Sequence, residues 1–109
     1  MIITIKQGDT YPPLRAYLQM GDGKAINLDS ATVKLLLVDS DNNPKLSESM
    51  SVLNAAEGLV SYSWQATDTE DAGSFKAEIE VTFQSGDIVT VPNDGHFTVN
   101  IVSELGQVI

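Results

Sequence analysis

The chain has 109 residues, of which 42% are hydrophobic and 19% charged, a composition that suits one globular domain and excludes a disordered chain. Its 15 Asp and Glu residues outnumber its 6 Lys and Arg residues, so the formal net charge is -9. Because nucleic-acid binding needs clustered basic side chains, this balance argues against a nucleic-acid partner. The absence of cysteine excludes disulfides, thiolate metal sites and cysteine nucleophiles.

The N-terminal segment carries no targeting signal. Residues 1–6 lack a basic region followed by a long apolar stretch, so we expect no signal peptide and synthesis in the cytoplasm. No apolar run approaches the roughly 20 residues that a membrane-spanning helix needs. We therefore expect no membrane partner.

The first third of the chain reads as short strands separated by turns. Ile3 and Ile5 alternate with polar residues, which predicts a first strand, and residues 14–20 predict a second. Residues 21–24 contain Asp-Gly, which is typical of a tight hairpin turn. Residues 31–38 have apolar side chains on both faces, which indicates a central strand with its second face partly covered.

The middle of the chain alternates polar loops with weaker strands. Residues 39–44 are rich in Asp and Asn, whose side chains bond their own backbone, and predict a loop. Residues 45–53 are polar and weakly patterned, and we interpret them as a single edge strand. Residues 59–65 alternate again and predict another strand.

The strongest strand pattern lies at residues 71–83. Its apolar side chains fall at every second position, at Phe75, Ala77, Ile79, Val81 and Phe83. Side chains of a strand alternate between faces, so this segment has one dry face and one charged face. A hairpin turn at 84–87 leads to a returning strand at 88–91, which breaks or bulges at 92–95 and resumes at 96–101.

Roughly 7–9 short strands with turn signals between them predict an all-β, antiparallel sandwich. No strand alternates with a long amphipathic helix, so parallel α/β folds are disfavoured. We assign residues 1–102 to the sandwich and residues 103–109 to a C-terminal tail. The tail residues Leu105, Val108 and Ile109 are apolar and unpatterned, so we expect them to dock onto a neighbouring protein.

The segment Asp71–Ala77 resembles the Asp-x-Gly-x-Tyr-x-Cys run of immunoglobulin domains. Phe75 stands at the position of the corner tyrosine, and Ala77 stands at the position of the cysteine. Since neither the hydroxyl nor the thiol is present, this similarity implies an immunoglobulin-like strand rather than a true immunoglobulin domain.

A second resemblance extends over most of the chain. It is carried, in this order, by Ile5-Lys6-Gln7-Gly8-Asp9-Thr10 with Pro13-Leu14, Asp22-Gly23, Ile26-Asn27-Leu28, Ala31-Thr32-Val33, Gly58-Leu59-Val60, Trp64, Gly73-Ser74-Phe75-Lys76-Ala77-Glu78 and Val91-Pro92-Asn93-Asp94-Gly95. Together these segments resemble the N-terminal domain of bacteriophage baseplate upper proteins. The resemblance implies a β-sandwich in a virion tail or baseplate that attaches neighbouring proteins such as receptor-binding proteins.

Two groups of polar residues suggest other sites. His96, the one histidine, lies near Asp94, but no partner nucleophile is visible and its register places it on the outward face of a strand. Asp39, Asp41 and Asn43 have the alternating oxygen spacing that begins a calcium loop. Because the glycine turn and the final glutamate of such a loop are missing, we interpret this group as a solvated turn.

Asp68, Glu70 and Asp71 form an acidic group, but a glycosidase pair needs a walled cleft that a short loop seldom provides. Aromatic side chains could instead form a sugar-binding platform if they were exposed. Their inward register predicts that they belong to the core; they are Tyr62, Trp64, Phe75, Phe83 and Phe97.

We therefore expect a non-enzymatic structural module of a phage or prophage virion, in the tail or baseplate. Its partners would be other virion proteins, with further copies of itself as a possible homo-oligomer. We expect no cofactor, metal ion or small-molecule substrate. The alternative is a carbohydrate-binding β-sandwich that contacts the host cell surface.

Overall fold

The computed structural model describes residues 1–105, which form a β-sandwich of nine strands. The strands are β1 (Ile2–Lys6), β2 (Leu14–Tyr17), β3 (Thr32–Val38), β4 (Pro44–Ser49), β5 (Ser51–Asn54), β6 (Leu59–Tyr62), β7 (Gly73–Thr82), β8 (Ile88–Val91) and β9 (Phe97–Val102). The all-β sandwich predicted from the sequence is confirmed. Within residues 1–105 there is no helix long and apolar enough to cross a bilayer.

The strands are divided between a large sheet and a small one. The large sheet has the order β1-β9-β7-β3-β4, with β8 also paired to β7, and the small sheet has the order β2-β6-β5. The buried apolar side chains of both sheets form a single core between them. This two-layer arrangement lets each sheet cover the apolar face of the other.

The central strand β7 has the alternation that its sequence predicts. Phe75, Ala77, Ile79 and Val81 are buried, and the residues between them are half-buried on the outer face. β3 pairs with β7 along one edge from Lys76 to Thr82. Three neighbouring strands therefore depend on the position of β7.

The returning strand is divided as the sequence predicts. β9 pairs with residues 73–77 of β7, and β8 pairs with residues 79–82 along the same edge. Between them, Pro92 follows a cis peptide bond and Gly95 has a φ of 75°. β8 and β9 are thus consecutive pieces of one row in the sheet.

The first strand departs from the antiparallel prediction. β1 pairs with β9 in parallel, with Ile2 opposite Thr98 and Lys6 opposite Val102. A parallel pair needs a long connection, and here the connection is the whole of the chain between these two strands. Alternation within β1 cannot reveal this direction, because it places Ile5 in the core equally well for either orientation.

The single edge strand predicted for residues 45–53 is wrong, because two strands in different sheets occupy this segment. The Met50 amide donates to the Val33 carbonyl of the large sheet at 2.8 Å, whereas the next residue, Ser51, is opposite Ser61 in the small sheet. Met50 itself is buried in the core. The chain therefore crosses between the sheets at Met50, and the crossing residue interrupts the alternation.

The second predicted strand is shorter than expected. β2 ends at Tyr17, and the Leu18 amide donates to the Gly58 carbonyl at 2.8 Å. The predicted Asp-Gly hairpin follows, closed by a hydrogen bond from the Met20 amide to the Lys24 carbonyl at 2.8 Å. The hairpin turn is confirmed.

Gly58 is the most tightly enclosed glycine of the fold. Its φ is 67°, and a Cβ at this position would lie 2.6 Å from the Leu18 carbonyl oxygen and 3.0 Å from the Ile26 carbonyl oxygen. Both neighbours are backbone atoms, so they cannot turn away as a side chain could. Only glycine combines this close approach with a left-handed backbone.

We predict that Gly58→Ala lowers the free energy of unfolding by about 2–5 kcal/mol, from backbone strain and the steric clash together. Gly23→Ala is the matched control, because Gly23 has a φ of 84° and nothing within 4 Å of its Cβ position. The control should lose only the strain, about 1–2 kcal/mol. Urea unfolding measures both values, and equal losses would contradict the close-approach argument.

The buried tyrosine of β6 ties the small sheet to the loop that follows it. The Tyr62 hydroxyl donates to Asp68 Oδ2 at 2.6 Å, and the Gln65 amide donates to the same oxygen at 2.8 Å. Burial raises the pKa of Tyr62 well above its ordinary value, and the hydrogen bond and charge of Asp68 raise it further. The Tyr62 ring also meets Trp64 edge to face, with centroids 5.3 Å apart.

We predict that Tyr62→Phe lowers the free energy of unfolding by about 1–2 kcal/mol at neutral pH, because the ring stays packed while a hydrogen bond to a half-exposed carboxylate is lost. The raised pKa favours the protonated phenol in the folded state. This stabilisation is therefore present below the ordinary tyrosine pKa of 10.0 and is lost as the pH rises above it. In urea unfolding, the advantage of the original chain over Tyr62→Phe should shrink above that pH.

Tyr17→Phe is the control for this prediction, because the Tyr17 side chain is 62% exposed. Its unfolding free energy should change by less than about 0.5 kcal/mol. A Tyr62→Phe variant that is as stable as the Tyr17→Phe control would show that the Asp68 contact contributes nothing.

Candidate interaction surfaces

The acidic loop between β3 and β4 is held together by the carboxylate of its first residue, Asp39. Asp39 Oδ1 accepts hydrogen bonds from the amides of Asp41 and Asn43, each at 2.9 Å, and Oδ2 accepts one from the Asn43 side chain at 3.3 Å. The hydrogen bond from the Asn43 amide is the largest cause of a lowered Asp39 pKa. This geometry matches the predicted turn. Within residues 1–105, no group of three or more His, Cys, Asp or Glu side chains could hold a metal ion.

The acidic group before β7 is distributed over separate contacts. Asp68 accepts hydrogen bonds from Tyr62, as described above, whereas Asp71 forms a 3.2 Å ion pair with Lys45. Lys45 Nζ also lies 5.6 Å from the centre of the Phe75 ring. The backbone carbonyl of Glu70 accepts a hydrogen bond from the Gln7 side chain at 2.8 Å. These contacts tie loops to the sandwich, so the residues have structural roles.

The predicted core aromatics are confirmed for four residues, Tyr62, Trp64, Phe75 and Phe97, all of which are buried. Phe83 is half-buried and packs against the core from its edge. A sugar platform built from these rings would require them to be exposed. The aromatic side chains that do face solvent are Tyr11, at 81% exposure, and Tyr17, at 62%.

His96 is exposed, as predicted, and it lies with Asp94 at the rim of a cleft of about 340 Å³. The cleft opens between the edge of the small sheet at Tyr17 and the end of β8 at Val91. Its floor is formed by buried apolar side chains, namely Leu18, Ile79, Val91 and Phe97. Met1 lies at the same opening. The cleft therefore separates two strand edges that belong to different sheets.

Several strand edges carry exposed apolar side chains. On β5 these are Val52 and Leu53, on β1 Ile2, and on β8 Ile88, which is 61% exposed. Exposed strand edges are templates for pairing with another chain. Exposed apolar side chains thus lie on the outer strands of both sheets.

The predicted interaction tail is described only in part. Leu105 is 83% exposed at the end of the described chain, whereas Val108 and Ile109 lie outside the described residues. The docking of this tail onto a neighbouring protein stays a prediction of the sequence.

The sequence does not reveal which strand edges are exposed, because alternation reports which face of a strand is buried, but not whether the strand has neighbours on both sides. One signal was present at β8. Its run Ile88-Val89-Thr90-Val91 has apolar residues on both faces although it is short and follows a turn. In the structure, Val91 is buried while Ile88 is exposed.

Comparisons with known proteins give a family and a fold. The sequence matches the BppU N-terminal domain, that of the baseplate upper protein, over residues 1–107. No curated protein matches the chain. Among solved structures, it is similar to the N-terminal domain of phage TP901-1 ORF48, with a TM-score of 0.63 and 16% identity, covering 95% of this chain and 85% of that one.

A second similar structure is CopC from Methylosinus trichosporium OB3b, with a TM-score of 0.55 and 10% identity, covering 94% of this chain and 84% of that one. At these identities the two structural likenesses show the fold alone. The family match spans nearly all of the sequence. This chain belongs to the family of baseplate upper protein N-terminal domains, a structural domain of the phage baseplate.

Proposed function

We propose that this domain is a non-enzymatic assembly module that joins other baseplate proteins through its exposed strand edges. Membership in a baseplate family implies a place in the virion among other virion proteins. The observation that carries the proposal is the set of strand edges with exposed apolar side chains on β1, β5 and β8. Such edges offer backbone donors and acceptors to an incoming strand.

The chemistry of the polar residues supports a binding role over catalysis. A nucleophile or general base must be aimed at a substrate site by an orienting partner. Instead, Asp39 binds its own loop, Asp68 accepts from Tyr62, and Asp71 pairs with Lys45. These three carboxylates thus have structural partners.

The distribution of strands supports the immunoglobulin-like topology that the sequence suggests. In such domains strands B, D and E share one sheet, and strands C, F and G share the other. Here β2, β5 and β6 form the small sheet, while β3, β7 and β9 lie together in the large one. We infer that the module is a variation on that sandwich with strand β1 added beside β9.

A carbohydrate-binding role has less support. Four of the five aromatic side chains considered for a sugar platform are buried in the core, where a glycan cannot stack on them. Tyr11 and Tyr17 remain exposed, but they lie on a loop and on an edge strand, and no arrangement of the two rings into one platform is evident from their positions in the chain.

We predict that the full chain forms a complex of defined stoichiometry with at least one tail or baseplate protein of the same phage. Each candidate would be co-expressed with the chain, and the mass of the product measured by size-exclusion chromatography with light scattering. The expected mass is the sum of a whole number of copies of each protein, because a symmetric virion assembly uses repeated interfaces.

The major capsid protein of the same phage is the control, and it should give no complex. The same chain would be tested on immobilised glycans of the host cell wall. Retention there, together with no complex with any tail or baseplate protein, would replace the assembly proposal by the carbohydrate-binding one.

A further inference from the structure

On the outer side of β8 and β9, the large sheet has a neighbouring strand along only half of its length. β1 lies beside β9, and its first paired residue, Ile2, is opposite Thr98. β8 continues the row of β9 along β7, but β8 pairs with β7 alone. Among residues 1–105, no strand lies on the other side of β8. A strand placed in line with β1 would therefore run along the open edge of β8.

This open edge is accessible and partly apolar. Ile88 is 61% exposed, and Val89 and Thr90 are half-buried. At its far end, the edge reaches Val91 and opens into the cleft that ends at Met1 and Tyr17. Four residues of strand extend about 13 Å, so the edge together with the cleft can hold an extended segment of several residues.

The side chains around the edge are acidic. Asp87 comes directly before β8 and Asp94 lies on the rim of the cleft, whereas Glu80 of β7 is opposite Thr90 of β8 on one side and Lys34 of β3 on the other. The cleft lining includes Asp94 and His96 but no lysine or arginine side chain. The whole chain also carries a formal net charge of -9.

This charge distinguishes between two possible occupants. If β8 paired with β8 of a second copy, each copy would bring its own Asp87 and Asp94 to the same interface. Like charges brought together at one interface are destabilising. A strand with basic residues would instead be attracted, and its approach would be accelerated by the acidic field.

We propose that the open edge of β8 binds an extended, lysine- or arginine-containing segment of a neighbouring baseplate protein by strand addition. The backbone of the segment pairs with β8, its apolar side chains enter the cleft, and its basic side chains meet the acidic rim. This inference rests on the proposed assembly function and names the surface and the partner chemistry for it.

The test uses Ile88→Lys in the full chain, without an N-terminal tag because Met1 lies at the cleft. A lysine on an edge strand discourages pairing, and here it also introduces the charge of the expected partner. Against each purified tail and baseplate protein of the same phage, the variant should bind the partner at least about tenfold more weakly. Met20→Lys is the matched control and should keep the original affinity, because Met20 is 44% exposed beside the hairpin at residues 21–24 and lies on none of the exposed edges of β1, β5 and β8.

Two further measurements test strand addition and charge separately. Hydrogen exchange should show the amides of residues 88–91 protected in the complex. Asp87→Asn combined with Asp94→Asn should weaken binding and reduce its dependence on salt, because two attractive charges are lost.

Equal affinity of Ile88→Lys and the original chain, with no protection at residues 88–91, would overturn the proposal while leaving the assembly function intact. A self-dimer that Ile88→Lys disrupts would also overturn it, in favour of a second copy on this edge. If none of the phage proteins binds the original chain, the assembly function fails as well.

Discussion

The whole sandwich depends on strand β7. Its inner face buries alternate apolar side chains, and its two edges hold β3 on one side and β8 with β9 on the other. Burying an aliphatic or aromatic side chain contributes about 1.5–3 kcal/mol, so a strand with several such residues positions its neighbours firmly. The small sheet then covers the face that β7 and its neighbours leave apolar.

β8 and β9 pair with the same edge of β7, and one of them, β8, has the open edge. The returning strand is broken between Val91 and Phe97, so it meets β7 as two separate pieces. β1 covers only the second piece, β9. The unpaired edge of β8 and the cleft at its end therefore lie side by side in the structure.

The sequence predicts those parts of the fold that depend only on local patterns, namely side-chain alternation and turn residues. The buried residues of β7, the hairpin at residues 21–24 and the break at residues 92–95 follow from local patterns. Sheet membership does not, because it depends on partners distant in sequence. For that reason residues 45–53 were predicted as one strand, whereas Met50 divides them between the two sheets.

The candidate interaction surface likewise has features that local sequence patterns predict and features that they do not. The structural roles of Asp39 and the burial of Trp64 could be predicted from turn chemistry and register. The open edge of β8 could not be predicted, because side-chain alternation reports the burial of a face and not the presence of a neighbouring strand. The two apolar faces of β8 were the only local sign that this strand is unusual.

Because β1 and β9 are parallel, both strands run away from the cleft toward the same end of the sheet. The chain enters the sheet at Ile2, beside the cleft, and leaves it at Val102, opposite Lys6 at the other end of the same two strands. Residues 103–105 therefore follow at the end of the sheet away from the cleft. The β8 edge and the C-terminal end of β9 thus lie at opposite ends of one edge of β7, so two proteins bound at these places would be held apart by the length of that strand.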